Sequence, residues 1–185
     1  MNYFECQGKE KLIIGHAGKS HPEAVTVDIE PQHRPDVVHD INRAPWPFRD
    51  NQFKKIICHH VIEHLNDLHP AIDELHRVCH PQGEIYIEVP HHSAWLAKSP
   101  YHKLYFGYFS FDELLASNSG SWQMGKKFEL ISREVTFHVR FRRLFLHKVF
   151  NKCPLTYERF WTYLIPAEHL KIILRPVKCP PSPKK

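Results

Sequence analysis

Residues 53–90 read FKKIICHHVIEHLNDLHPAIDELHRVCHPQGEIYIEVP, and this stretch decides the fold. Residues 53–59 are predicted to form a strand, because apolar residues follow one another directly within them. From residue 68 to residue 78 the apolar positions recur every three or four residues, which predicts a helix. A turn at 81–83 then introduces a second strand at 83–89. A strand, a helix and a strand in this order form a βαβ unit, so the two strands are expected to be parallel.

Three shorter apolar segments precede this unit, at residues 11–15, 24–29 and 36–39. Each is predicted to be a strand, because its apolar residues stand between turn-forming residues. The connections between them are about six residues long, whereas a helical crossover takes a dozen or more. We therefore expect the early crossover helices to be abbreviated and one face of this half of the sheet to be thinly covered.

The character of the chain changes after residue 90. Residues 91–108 are crowded with histidine and aromatic residues and show no clean period. Beyond them the sequence predicts a helix at 111–117 capped by Ser110, a loop at 118–125, a strand at 134–141, a helix at 156–164 and a closing strand at 170–177. We interpret the chain as one domain at 1–179, with a cofactor-binding half at 1–90, an acceptor or lid half at 91–179 and a disordered tail at 180–185.

Composition narrows the function classes. A chain of 185 residues with 42% hydrophobic and 24% charged residues is typical of a folded, soluble domain. No apolar run approaches the roughly 18 residues of a membrane span. The five scattered cysteines exclude a disulfide framework and a cysteine-rich zinc site, so we expect a cytoplasmic protein. The net charge of +5 is spread along the chain, which disfavours nucleic acid as a partner. The oligomeric state stays open, with a homodimer as one alternative.

Polar residues follow the predicted early strands where each strand ends. The first strand runs into Gly15-His16-Ala17-Gly18, the second into Asp28, and the third into Asp40. In an open α/β sheet, ligands bind outside the carboxyl ends of the parallel strands. A glycine turn and two carboxylates on one rim suit a ligand that carries hydroxyl groups and an amino heterocycle. The order of these residues therefore favours a nucleoside-like ligand.

Four stretches between residues 12 and 90 together resemble the small class I S-adenosylmethionine-dependent methyltransferases. They read LIIGHAGK, AVTVDIE, DVVHDINRAPWPFRDNQFKKIICHHVIEHL and AIDELHRVCHPQGEIYIEVP, and they cover nearly half of the chain. The later segments SPYHKLYF and YERFWTYLIPAEHLKIIL resemble the second half of such enzymes. The resemblance implies a Rossmann-like α/β fold, with a mostly parallel sheet and an antiparallel closing strand. It also implies S-adenosylmethionine as the cofactor.

The resemblance implies a role for each residue at the rim. Gly15, His16, Ala17 and Gly18 would approach the methionine part of the cofactor, Asp28 with Ile29 the ribose, Asp40 with Ile41 the adenine, and His59 and His60 the methyl donor. A hydroxyl or amine acceptor needs a base, and His91, His92 and His102 are the candidates. Two residues depart from the family pattern. Ile13 stands where the family has an acid, and Ala17 stands where it has a second glycine.

We therefore predict methyl transfer to a small or medium acceptor, with a sugar or an envelope precursor as the candidate class. Two alternatives stay open. The altered glycine turn favours a non-catalytic binding or scaffold protein on the same fold. The sequence His60-Val61-Ile62-Glu63-His64 matches the H-x-x-E-H motif of zinc metalloproteases. With 16 histidines the motif has a chance expectation of about 0.1 per chain, and it directly follows a predicted buried strand, so we predict no metal site.

Overall fold

The computed structural model describes residues 3–15, 17–117 and 127–178. Within them, seven strands form one sheet in the order β3-β2-β1-β4-β5-β7-β6. β1 to β5 run parallel, and β7 is antiparallel to both of its neighbours. The predicted fold class is confirmed. The strands are β1 (Lys11–Ile14), β2 (Val25–Asp28), β3 (Val37–Val38), β4 (Phe53–His59), β5 (Cys79–Pro90), β6 (Phe128–Phe137) and β7 (Ala167–Pro176), and the helices are α1 (Leu68–Val78), α2 (Val139–Arg143), α3 (Leu146–Lys152) and α4 (Pro154–Thr156).

The βαβ unit forms where the apolar period predicts it. Asp67 caps α1, because its carboxylate accepts the backbone N–H of His69 at 3.0 Å. The apolar stripe of the helix is buried under the sheet, including Ala71, Ile72 and Leu75. β4 and β5 pair in parallel, as a right-handed crossover requires. Burial of this stripe holds the two strands side by side.

The early crossovers are short, as expected. Among the described residues between β1 and β4, the only helical turn is a 3-10 turn at Pro31–His33. One face of the sheet is nevertheless closed over β1 and β2, where Ile13 and Thr26 are buried. The same face is open over β4, β5 and β7. Its cross-strand row of Ile57, Tyr86 and Ile173 is only half-buried there.

Three predicted elements have different bounds in the structure. The predicted helix at 111–117 is a single 3-10 turn, Asp112–Leu114, and Ser110 does not cap it. The Ser110 hydroxyl instead accepts the N–H of Gly107 at 2.8 Å. The predicted strand at 134–141 ends at Phe137, because the His138 side chain accepts the N–H of Arg140 and starts α2. The predicted turn at 81–83 lies inside β5. This strand begins earlier than predicted, because Cys79 pairs with Phe53 of β4.

The other late predictions fall close to the observed elements. The predicted helix at 156–164 overlaps α4 and a π-helical turn at Tyr157–Trp161, and the predicted closing strand at 170–177 overlaps β7. The predicted loop at 118–125 and the predicted tail at 180–185 lie outside the described residues. One hydrophobic core runs from Cys6 to Leu174 and so draws on both predicted halves of the chain.

Ala17 adopts a backbone conformation that suits glycine. Its φ is +50°, in the left-handed region, where a Cβ costs about 1–2 kcal/mol. We expect Ala17→Gly to raise the free energy of unfolding by about 1 kcal/mol, measured by urea denaturation. Ala116→Gly is the control, because Ala116 has no positive φ and should lose stability. An Ala17→Gly protein that is less stable than the parent would contradict this account.

Candidate functional site

A cavity of about 470 Å³ opens at the carboxyl ends of β1, β2 and β4, and residues just beyond β3 also line it. The cavity is lined by Gly15 just after β1, by Asp28 at the end of β2 and by Asp40 just beyond β3. Its volume falls in the range of small-molecule sites, roughly 300–1,000 Å³. Seven of the residues expected to bind the cofactor line this cavity: Gly15, Ala17, Asp28, Ile29, Asp40, Ile41 and His60.

Of the other three expected cofactor residues, two are described and lie outside the lining of this cavity. The His59 side chain lies 3.6 Å from Glu88 on the open face of the sheet. His60 lies just beyond the end of β4 with a φ of +55°, and it lines the cavity while its ring remains 4.6 Å from the ring of His59. Gly18 does not line the cavity, and the nearest side chain to its Cβ position is His33. His16 lies outside the described residues.

Gly15 is required by close packing at the end of β1. Its φ is +73°, and a Cβ placed on it would overlap Cγ2 of Val61. Val61 also lines the cavity. Any larger residue at position 15 would push Val61 away and change the shape of the cavity. The sequence therefore keeps glycine here for both backbone conformation and space.

Hydrogen bonds from neighbouring residues fix the two rim acids, Asp28 and Asp40, in position. Asp28 Oδ1 accepts the N–H of Glu30 and its Oδ2 lies against His33 Nδ1, both at 3.0 Å. Burial alone would raise the pKa of Asp28, but these hydrogen bonds lower it below its ordinary value. Hydrogen bonds from the side chain and the backbone of Asn42 lower the pKa of Asp40 in the same way. Both carboxylates are therefore charged at neutral pH and accept hydrogen bonds.

Sequence reasoning missed several residues of this cavity. Lys103 belongs to the segment without a clean period, and nothing in that pattern predicted its position. The segment reaches the cavity because the N–H groups of Lys103 and Leu104 both donate to the carbonyl of Glu63. Asn42 could have been found, because an Asx turn commonly follows an acid such as Asp40. The missed lining residues also include His33, His39, Val61, His64 and Leu65.

The histidines expected to act as base are placed elsewhere. His91 is fully buried, and its Nε2 lies 2.9 Å from a Glu158 oxygen, while His92 Nε2 lies 3.1 Å from the other oxygen. Burial lowers the pKa of His91 below its ordinary value. Neither residue lines the cavity, and both tie the segment after β5 to the π-helical turn. His102 also stays outside and stacks edge-on against His64, with ring centroids 4.7 Å apart.

The H-x-x-E-H motif does not have the geometry in which both of its histidines would bind one metal ion. His60 has a φ of +55° and Ile62–His64 is a 3-10 turn, so no α-helix places His60 and His64 on one face. His60 groups with His59 and Glu88, whereas His64 groups with Glu63 and His102. The two histidines of the motif thus point into different clusters among the described residues. This geometry disfavours the zinc hydrolase alternative.

A second cavity has a volume of about 540 Å³, and one of its lining residues contacts a lining residue of the first cavity. It lies between residues 93–98 and the chain on either side of the β6–β7 connection, and His169 of β7 lines it. The His169 ring is 5.0 Å from the ring of His60, which lines the first cavity. Burial and the charge of His60 lower the pKa of His169, so it is neutral at neutral pH. This imidazole pair connects the two cavities and was not predicted from the sequence.

The comparisons with known proteins agree with this geometry. The family described as "Methyltransferase domain" matches residues 17–87. The resemblance to class I methyltransferases is confirmed over that region, which includes both rim acids, Asp28 and Asp40. A comparison with curated proteins finds no significant match.

Solved methyltransferase structures share the fold over about 90% of this chain. A SAM-dependent methyltransferase from Archaeoglobus fulgidus is 16% identical, with a TM-score of 0.62, and covers 91% of this chain and 86% of its own. An S-adenosylmethionine-dependent methyltransferase from Mesorhizobium loti is 13% identical, with a TM-score of 0.53 and 90% coverage of both chains. The N-methyltransferase NodS from Bradyrhizobium japonicum, solved with S-adenosylhomocysteine, is 13% identical, with a TM-score of 0.56 and coverage of 91% and 78%. These likenesses show that the chain shares the fold of these proteins.

Among the residues that the structure describes, no helix has the length and apolar character needed to cross a membrane.

Three histidines, of which His91 is buried and His76 and His169 are half-buried, make stability depend on pH. Burial lowers the pKa of His76, His91 and His169 below the ordinary value of histidine. Below about pH 6.5 the unfolded chain therefore binds more protons than the folded chain, and the free energy of unfolding falls. We expect urea denaturation to show lower stability at pH 5.5 than at pH 7.5. His76→Gln keeps an N–H donor for the Val177 carbonyl and should reduce this loss, whereas equal stability at both values would contradict the prediction.

Proposed function

We propose that this protein transfers the methyl group of S-adenosylmethionine to a small or medium acceptor in the cytoplasm, with a sugar or envelope precursor as the acceptor class. The observation that carries the proposal is the shared cavity of Gly15, Asp28 and Asp40 at the carboxyl ends of parallel strands. A carboxylate on each of two neighbouring strand ends matches a ligand with a ribose diol and an adenine amino group. We do not propose nucleic acid as the acceptor.

The residues of the cavity fit the parts of the cofactor. Asp28 accepts hydrogen bonds from the ribose hydroxyl groups, and Asp40 accepts one from the adenine amino group. Ile29 and Ile41 supply apolar contacts beside these acids. Ile13 stands in place of the family acid and is buried, so it makes no polar contact with the cofactor. The affinity of the site therefore depends mainly on Asp28 and Asp40.

The second cavity is the proposed acceptor site. When bound, S-adenosylmethionine supplies a methyl group that is already activated on a sulfonium, so the protein mainly has to align the acceptor and exclude water. His60 and His169 stand between the two cavities. A neutral His169 can take a proton from a hydroxyl or amine acceptor. This assigns the base to His169 in place of His91, His92 and His102.

Calorimetric titration with S-adenosylhomocysteine tests the proposal. We expect saturable binding with one site per chain, because one cavity holds the whole rim constellation. Adenosine alone should bind more weakly, since it lacks the part of the ligand that reaches Gly15 and His60. No heat at millimolar ligand would overturn the proposal and favour the scaffold alternative.

A further inference from the structure

The connection between β6 and β7 carries an unusual surface. This segment, residues 138–166, contains α2, α3, α4 and the π-helical turn, and we call it the helical insert. Its inner side chains Phe150, Tyr157 and Thr162 are buried. Its outer face exposes large apolar side chains, and soluble proteins seldom leave so many together in water. They are Val139, Leu144, Phe145, Val149, Leu155, Phe160, Trp161, Tyr163 and Leu164.

The exposure of this outer face is large. Leu144 is 68% exposed, Phe160 is 67% exposed and Tyr163 is 88% exposed. Side chains that packed against the insert itself would be half-buried, and none of these three is. Trp161 and Tyr163 combine an apolar ring with a polar group, which is the character of residues at the boundary between a membrane and water.

The exposed charges on the insert are all positive. Six exposed cations lie among the apolar residues, namely Arg140, Arg142, Arg143, Lys148, Lys152 and Arg159. In the part of the chain that the structure describes, none of the six forms an ion pair with a carboxylate. The insert has one acid, Glu158, and its oxygens are bound by His91, His92 and the N–H of Tyr108. The outer face is therefore apolar and cationic, without acidic residues to balance it.

We propose that the helical insert docks on an anionic phospholipid surface. A helical face that mixes aromatic and aliphatic residues with Lys and Arg is typical of segments that lie in the membrane interface. Anionic headgroups complement the six cations, and the acyl boundary accepts Leu144, Phe160 and Leu164. A nucleic acid would match the cations but would leave the aliphatic side chains in water.

The position of the insert connects this surface to the cavities. Phe137 of β6 pairs with Ala167 of β7, close to the pair of Pro90 with His169, so the insert leaves and rejoins the sheet at the carboxyl end of β5. His138, Phe141 and Pro166 at its two ends line the second cavity. A membrane under the insert therefore lies beside the proposed acceptor site. Resting on the proposed function, this favours an acceptor that is carried by the membrane.

Vesicle sedimentation with the full chain tests the docking. We expect binding to vesicles of phosphatidylserine and phosphatidylcholine, and little binding to phosphatidylcholine alone. Each basic residue near an anionic surface contributes about a fivefold increase in binding. The triple variant R140Q/R142Q/R143Q should therefore bind about 100-fold more weakly. Leu144→Ser with Phe160→Ser should also reduce binding, and both exposed positions can change without loss of a core contact.

The control variant is K19Q/K54Q/K55Q, which removes the same charge from exposed lysines elsewhere and should bind vesicles like the parent. No binding to anionic vesicles, equal losses in both triple variants, or tighter binding to an RNA oligonucleotide would each overturn the docking proposal. Titration of the same preparations with S-adenosylhomocysteine separates the two proposals. Cofactor binding without vesicle binding rejects only the docking, and vesicle binding without cofactor binding rejects only the methyltransferase function.

Discussion

Replacing Asp28 with alanine is expected to remove most of the affinity for S-adenosylhomocysteine. In the proposed complex the Asp28 carboxylate accepts two hydrogen bonds from the ribose hydroxyl groups. A hydrogen bond to a charged group contributes about 1.5 kcal/mol or more, so losing both should weaken binding about 100-fold. In the parent, ligand at 100 times its dissociation constant should raise the free energy of unfolding by about 2.7 kcal/mol. At that same ligand concentration the Asp28→Ala protein should show almost no such gain.

Two further variants keep this experiment interpretable. Asp28→Ala also removes the acceptor for the N–H of Glu30, so its stability without ligand is measured first. Asp28→Asn keeps the shape and one acceptor oxygen but loses the charge, and should bind with intermediate affinity. Glu30→Gln is the matched control, because Glu30 is exposed on the same rim and does not line the cavity. Unchanged ligand binding by Asp28→Ala would remove Asp28 from the site.

The βαβ unit shows why most of the fold could be predicted from the sequence. Ala71, Ile72 and Leu75 recur at helical spacing, and the same residues are buried in the structure. Their burial is a local consequence of the apolar pattern, so the pattern alone locates the helix. The polar residues that follow parallel strands can be located in the same way, because parallel strands place their carboxyl ends at one edge of the sheet. Asp28 and Asp40 could therefore be assigned to one cavity from their order.

Residues 91–108 show where this reasoning stopped. Their fold depends on contacts between distant residues, such as the N–H of Lys103 with the carbonyl of Glu63 and the N–H of Tyr108 with Glu158. A single sequence has no local signal for such pairs. For the same reason, the sequence did not predict that His91 and His92 contact Glu158, which lies more than sixty residues away along the chain. His169 lies on the closing strand, and only the sheet order brings it beside His60.

The second large effect concerns Glu158 and the stability of the whole second half of the chain. This side chain accepts from His91 and from the N–H of Tyr108, and it also lies against His92. Burial alone would raise the pKa of Glu158, but these hydrogen bonds lower it well below its ordinary value. Glu158→Ala leaves the fully buried His91 ring and a backbone N–H without an acceptor. Leaving a buried donor without an acceptor costs about 1–3 kcal/mol, so the two together cost several kcal/mol.

We therefore expect Glu158→Ala to lower the melting temperature by about 10 °C, at roughly 2–4 °C for each kcal/mol in a chain of this size. Glu158→Gln keeps one acceptor and should lose less, and Glu129→Ala, at an exposed position on β6, should change little. Because the pKa of Glu158 is lowered, its contribution is complete above the ordinary pKa of glutamate and declines as the pH falls below it. The gap between parent and Glu158→Ala should thus narrow as the pH falls below the ordinary pKa of glutamate. An Ala variant as stable as Glu129→Ala would show that the histidines after β5 do not depend on Glu158.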